Sequence, residues 1–252
     1  MPTITAVAAT LDDILRLRAL YLRELHAQCR YDAVHRRGWA GHWQLRLDDT
    51  VVGYAAIKGL DAVTDRDAIF EWYVVPPAHA AADAMWDALV AAARPTYVEC
   101  QTNDPCLHPM ALRQATTLAP TIWLFEAGHW HEIDGPGVIR TRRDDDIVFP
   151  HTVEPVGDIV LEVDGTIVAT SGYYTHYNPP FADVFMEVSP DHRRRGYGSR
   201  VVAEAMRACW LSGHVPAARC GLDNLASRAT LLNAGMHIVG QMVAGGIGRP
   251  ST

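Results

Sequence analysis

Lysine is almost missing from this 252-residue chain: Lys58 stands alone, and arginine supplies the rest of the 22 basic side chains. Against 29 acidic residues they leave a formal charge of −7. Such a surface repels DNA and RNA unless basic groups are gathered in one place, so no nucleic-acid partner is expected. Cysteine is sparse and scattered. Cys29, Cys100, Cys106, Cys209 and Cys220 are odd in number and form no C-x-x-C pair, which points to buried thiols and away from a disulfide framework or structural zinc. The histidines of His129-Trp130-His131, and His108 after Cys100 and Cys106, offer too few ligands at unusual spacings, and no metal is expected. No apolar run approaches the ~20 residues that span a bilayer, and the start of the chain does not read as a leader. A cytoplasmic protein without membrane contact is the expectation. What is present is 49% hydrophobic and 20% charged, enough to bury a core in one large domain or two small ones.

The chain repeats itself. Residues 45–54 align with residues 161–170, and in both an alternating strand runs through Asp48-Asp49 or Asp164-Gly165 into a second β-rich strand, the chemistry of a tight hairpin. Each hairpin is followed by a strand ending near a proline (Ile69 to Pro76; Val184 to Pro190), an alanine-rich helix, and a short strand ending at Asn103 or Asn224. Two copies of one α/β unit are implied, with the boundary near Arg140: residues 1–140 and 141–252. The first copy opens with a strand from Ile4 to Ala8 and a helix whose apolar face is read through Leu11, Leu15, Ala19 and Leu22. The second has little room for such a helix. Its run Arg142-Arg143-Asp144-Asp145-Asp146 reads as a solvated linker.

Residues 188–199 lie between a predicted strand and a predicted helix with the apolar face Val201, Val202, Ala205, Met206 and Cys209. Free amides at a helix start, glycines at 196 and 198 that admit close approach of the backbone, and neighbouring arginines form a site for a phosphate or pyrophosphate. Arg193-x-x-Gly196-x-Gly198 after a Val-x-Pro strand end resembles the acetyl-CoA signature of the GNAT superfamily of N-acetyltransferases. Asp223-Asn224-x-Ala226-Ser227, followed by Leu231 to Met236, is similar to that family's next strand and helix, with Met236 in place of an aromatic residue. The resemblance covers about residues 155–247. It implies an α/β protein of the α+β type, with two GNAT-like mixed β-sheet domains flanked by helices, and acetyl-CoA as cosubstrate. Arg193, Arg194, Arg195, Gly196, Tyr197, Gly198 and Ser199 would hold the pyrophosphate, Met186 and Val188 would pair with the pantetheine arm, and Asn224 would bond the same arm. An amide at Met186 would steady the thioester carbonyl. The corresponding stretch of the first copy, residues 75–84, has neither the arginines nor the glycines and places Asp83 where phosphate would lie; residues 1–140 are read as a degenerate copy.

Acyl transfer to an amine needs a neutral nitrogen, a thioester held still and a proton for the thiolate. The resemblance implies direct transfer in a ternary complex, but the position of the family's frequent tyrosine acid is Leu231 and that of a frequent glutamate base is Ala182. Glu187 and His176 are the candidates for catalysis. Residues 173–177 carry three tyrosines and read either as a β-rich core strand or as a wall for the acceptor. Residues 30–39, with Asp32, His35 and Arg37, read either as an ordinary surface loop or as a wall of the acceptor cleft in place of the missing helices. The expected activity is acetyl transfer to a primary amine of a small molecule, the acceptor being open among polyamines, amino acids and aminoglycosides. A protein N-acetyltransferase and a non-catalytic acyl-CoA sensor or scaffold are the alternatives. The oligomeric state is not readable from the sequence.

Overall fold

Residues 4–25 begin with alternating small apolar side chains and continue through Thr10 and Asp13, spaced as a reciprocal helix cap. In the computed structural model, which describes residues 2–29 and 31–248, they form strand β1 (Ile4–Ala9) and helix α1 (Leu11–Leu25), with the Thr10 hydroxyl accepting from the Asp13 amide and the Asp13 carboxylate accepting from the Thr10 amide. Helix α2 (Asp32–Arg36), strands β2 (Gly41–Leu47), β3 (Thr50–Lys58) and β4 (Ala68–Val74), helix α3 (Ala82–Ala93), strand β5 (Tyr97–Gln101), helix α4 (Leu107–Gln114) and strand β6 (Ala119–Ala127) follow. The second series runs β7 (Val138–Thr141), β8 (Ile159–Val163), β9 (Thr166–Tyr174), β10 (Phe181–Val188), α5 (Tyr197–Leu211), β11 (Val215–Gly221), α6 (Leu225–Asn233) and β12 (Met236–Gly246).

The repeat holds in its details. Strands β2, β3 and β4 are antiparallel neighbours and β5 returns parallel to β4; strands β8, β9 and β10 are antiparallel neighbours and β11 returns parallel to β10. Each hairpin turn places an aspartate in the left-handed region, Asp48 at φ 53° and Asp164 at φ 49°. A register irregularity falls at Leu45/Arg46 in one copy and at the aligned Leu161/Glu162 in the other.

The chain divides into two compact units, residues 1–121 with 241–252, and residues 122–240. This differs from the boundary near Arg140, because the last strand of each copy joins the other unit. Residues Ile122 to Glu126 of β6 pair with β11, and residues Met242 to Gly246 of β12 pair with β5. The segment after β6 also belongs to the second unit. The buried Arg200 of α5 donates to the carbonyls of Ile133 and Pro136, and Trp130 donates its indole N–H to the Ala203 carbonyl at 3.0 Å.

In the first unit, α3 packs Met85, Trp86 and Leu89 on the sheet, with Trp86 edge-on to Trp72. Helix α1 buries Ile14, Arg18, Tyr21 and Leu25, while Leu15 is 48% exposed, so its inner face lies one residue away from the expected one. An arginine on the buried stripe hid the pattern. Arg18 is held there by Glu71, which accepts from its Nε at 3.0 Å, and by Asp32, which accepts from Nη1 at 2.8 Å. Asp32 and His35 are thereby committed to the interior, where His35 lies 3.1 Å from Glu71 and 2.9 Å from His42. The expectation that Asp32 and His35 wall a substrate cleft is corrected by this burial. Arg37 stacks over Trp39, and Arg30 lies outside the described residues.

In the second unit, Val201, Val202, Ala205, Met206 and Cys209 of α5 are all buried, as the helical spacing predicts. The run 142–146 is more than a linker: Asp146 accepts from Nη1 and Nη2 of Arg140 at 2.7 Å each and from the Arg143 amide, which closes a turn against β7. No helix among the described residues is long and apolar enough to cross a membrane.

Candidate active site

Strand β10 is paired with β9 from Asp183 to Val188, but with β11 only from Phe181 to Asp183. Beyond Asp183 the two parallel strands part, while residues Ala217 to Gly221 of β11 stay paired with β6 on their other side. Residues 184–188 therefore present a backbone edge with no strand paired to it. The ladder stops at Ser189-Pro190, and a single 3₁₀ turn, Pro190–His192, leads to Arg194 at φ 63° and Gly196 at φ 78°. These left-handed residues bend the chain into the start of α5, where Gly196 is the N-cap and supplies no side-chain cap. The first amides of the helix are left available to an anion.

The two glycines differ in what they do. A Cβ on Gly196 would meet nothing within 4 Å, so its requirement is the positive φ. A Cβ on Gly198 would lie 3.0 Å from Thr230 Cγ2 and 3.4 Å from Val188 Cγ2, so this glycine lets α5 approach α6 and β10. Ser199 tightens the same junction by donating to the Thr230 carbonyl at 3.1 Å.

Met186, Val188, Arg193, Arg194, Gly196, Tyr197, Gly198, Ser199 and Asn224 come together around one cavity of about 780 Å³. Arg195 is exposed and is not part of its lining. The Arg193 Nε donates to the Val188 carbonyl at 3.3 Å, bracing the turn. Tyr197 also packs on Leu161, Val168 and Val201. Asn224 caps α6: its Oδ1 accepts from the Ser227 amide at 3.0 Å, leaving the Nδ2 amino group as the donor for a ligand.

A second cavity, about 330 Å³, is lined by Tyr174, His176, Asp183, Val184, Phe185, Arg219 and Gly221. Glu154, Asn224 and Ser227 line both. The tyrosine cluster splits: Tyr173 and Tyr174 alternate on β9, and Tyr177 lies beyond its end. Tyr177 is buried, and Tyr173 donates to Ser212, whereas Tyr174 stacks on Phe185 at 4.6 Å and faces the smaller cavity. His176 lies in that cavity too, with Nε2 3.1 Å from Asp183.

Glu187 is not placed to act as a base. Its carboxylate accepts from the amides of Thr152, Val153 and Glu154 and from the Thr152 hydroxyl, at 2.9 to 3.2 Å. Burial alone would push its pKa up, but the amides of Glu154, Thr152 and Val153 outweigh that and hold it at about 2, where it takes up no proton near neutrality. Its work is to strap the 152–154 loop to β10. Glu154 is the carboxylate that sequence reasoning missed. Burial, and then the nearby Asp183, raise its pKa from the ordinary glutamate value, against the pull of Arg219. Its one mark in the sequence is an acidic residue in the short stretch between Pro150 and Pro155. Leu231, at the expected tyrosine position, is buried in the core with Phe125 and Met206, and Ala182 is buried as well; neither supplies a proton-transfer group.

A splayed pair of parallel strands beside an uncapped helix start lies in the second of two similarly built mixed-sheet units. Residues 125–236 match the model of the acetyltransferase (GNAT) family. An acetyltransferase of the GNAT family from Colwellia psychrerythraea has 12% identity and a TM-score of 0.69, covering 98% of this chain and 100% of that one. A tandem GNAT protein from the clavulanic acid biosynthesis pathway has 12% identity and a TM-score of 0.60, with both chains covered in full. A GCN5-related N-acetyltransferase from Sphaerobacter thermophilus gives 16% identity and a TM-score of 0.54 over 99% of this chain and 97% of that one. These likenesses establish the fold. No curated protein matches the sequence.

Proposed function

We propose that the chain is an acyl-CoA-dependent N-acyltransferase that moves acetyl from acetyl-CoA to the primary amine of a small molecule by direct transfer, with the second unit as the working one. The observation that carries this reading is the convergence of the unpaired edge of β10, the left-handed turn at Arg194 and Gly196, and the free start of α5 on one cavity. A second cavity shares Glu154, Asn224 and Ser227 with it, and the proton affinity of the Glu154 carboxylate is raised. The site fits acetyl-CoA, whose thioester supplies the activated acyl group. The amides from Arg194 to Ser199 suit a pyrophosphate, the backbone of Met186 and Val188 suits an amide-bearing arm, and Asn224 Nδ2 offers a further donor. The Met186 N–H is the candidate to stabilise negative charge on a carbonyl oxygen.

Glu154 takes the role of general base. It lines both cavities, and its raised pKa lets it accept the proton that an ammonium must shed before its nitrogen attacks. A second proton leaves the nitrogen as the C–N bond forms and the C–S bond breaks, and it is available to the departing thiolate directly or through water.

The first unit is proposed as a structural copy. Its β4 also parts from β5, after Ile69, but the turn before α3 is a 3₁₀ helix at Pro76–Ala81 without a left-handed residue, and Asp83 occupies the first turn of α3.

The deciding experiment is calorimetric titration of acetyl-CoA into the wild type and into a Gly196→Asp, Gly198→Asp variant, followed by a free-CoA release assay over a panel of amines. Micromolar binding that the variant loses, with turnover of an amine, is the expected result. Binding without turnover of any amine or peptide would favour a sensor or scaffold. A folded protein that does not bind acetyl-CoA would overturn the proposal.

A further inference from the structure

The smaller cavity carries an arrangement of charge that narrows the acceptor. Arg219 sits on β11, 39% exposed at its side chain, with Nε 3.6 Å from Asp183 Oδ2. Among the described residues its Nη1 and Nη2 make no hydrogen bond, so the planar fork of the guanidinium is open. Arg219 lines the smaller cavity and not the larger, whereas Glu154 lines both. The lining is therefore of mixed charge: a carboxylate shared by the two cavities, where an amine must be delivered, and a guanidinium that lines the smaller cavity alone. His176 and Arg219 share Asp183 Oδ2, which fixes the carboxylate between them and leaves Glu154 as the acid group for the amine. Tyr174 stacked on Phe185 adds an apolar wall.

We infer that the acceptor is a small zwitterion of the α-amino-acid class, its amine directed to Glu154 and its carboxylate gripped by the Arg219 fork. This rests on the acyltransferase reading above and specifies its substrate. A carboxylate matches two parallel N–H donors in a way no ammonium can. A polyamine that puts one amine at Glu154 would bring a second positive charge toward Arg219, which disfavours it. Size is compatible: a cavity of about 330 Å³ has room for an amino acid.

The test begins with binding, so that it does not depend on turnover. Each of the twenty amino acids is titrated into the full-length protein by calorimetry, beside its decarboxylated amine where one is soluble, with putrescine and spermidine as polycations. The same set is then used as acceptors with acetyl-CoA. At least one amino acid is expected to bind about 10- to 100-fold more tightly than its decarboxylated amine, the range for loss of a charged hydrogen-bonded pair. Arg219→Ala is expected to erase that preference while leaving acetyl-CoA affinity unchanged, and Arg219→Lys to restore part of it. Because Arg219 is partly exposed, both variants should fold, which a thermal melt checks. Equal binding of amine and amino acid, a preference for putrescine or spermidine, or a preference that survives Arg219→Ala overturns the inference. Acetyl-CoA titration of the same samples separates the two levels. If acetyl-CoA binds but amino acids are not preferred, only the acceptor assignment fails; if acetyl-CoA does not bind, the reading of the site itself fails.

Discussion

Two glutamates a few residues from the same strand edge show how environment divides labour among identical side chains. Glu187 is saturated with amide donors and held at about 2; Glu154 is pushed the other way by burial and by Asp183. Glu154→Gln keeps the shape and removes the proton acceptor, so kcat should fall by about 10²- to 10⁴-fold with the KM for acetyl-CoA unchanged. In the wild type, kcat should rise with pH as the raised Glu154 carboxyl ionises, and that acid limb should be missing from the Gln variant. If the limb survives, Glu154 is not the base. Glu187→Gln belongs to stability instead. A carboxyl depressed in the folded state stabilises the fold above its unfolded pKa, near 4.5, and that contribution is lost as pH falls toward about 2. The variant should be less stable at neutral pH by about 1–3 kcal/mol, for weaker hydrogen bonds once the charged acceptor is gone, and its melting temperature should vary less between pH 5 and pH 2.5. A melting temperature equal to that of the wild type at neutral pH would show that the strap carries no load.

The turn between β10 and α5 works as an element because one glycine is needed for backbone conformation and the other for space. Alanine at either position should reduce acetyl-CoA affinity, but for different reasons, and a second substitution separates them. Gly198→Ala drives a methyl toward Thr230 Cγ2 at 3.0 Å, so adding Thr230→Ser, which removes that carbon, should recover binding. Gly196→Ala is strained by about 1–2 kcal/mol through its left-handed φ, and Thr230→Ser should do nothing for it. Titration of the four variants decides; rescue of both or of neither would remove the distinction. This element was the most legible part of the sequence, because glycine, arginine and the strand-to-helix position are local signals. Glu154 was not legible: its importance comes from Asp183, Arg219 and two cavities, none of them near it in the chain. The buried face of α1 is hidden in the sequence for a related reason, since Arg18 is held inside by Asp32 and by Glu71, the latter 53 residues away. The hairpins and the repeat could be read from turn chemistry and alternation, whereas the exchange of last strands could not, because β6 and β12 carry no mark of which partner they will choose.

At the scale of the whole molecule, that exchange makes the two copies unable to fold as cut at the sequence boundary. Residues 1–140 alone lack the end of β12, whose Met242 and Val243 are buried in the first unit. Residues 141–252 alone lack β6 and with it Phe125, fully buried in the core of the second unit against Val202 and Met206. Each omission removes large core side chains, at about 2–5 kcal/mol apiece, and leaves a strand unpaired, against a total stability of about 5–15 kcal/mol. Neither fragment should give a cooperative melt. A chain ending at Gly240 makes a sharper test, since it removes only material of the first unit: the cavity residues from Val153 to Asn233 are all retained. Near-UV circular dichroism from the packed Trp72 and Trp86 pair should collapse, while acetyl-CoA binding in the second unit persists. If residues 141–252 fold and bind acetyl-CoA by themselves, the strand exchange is not what holds the second unit together, and the division at Thr121 and Ile122 loses its energetic meaning.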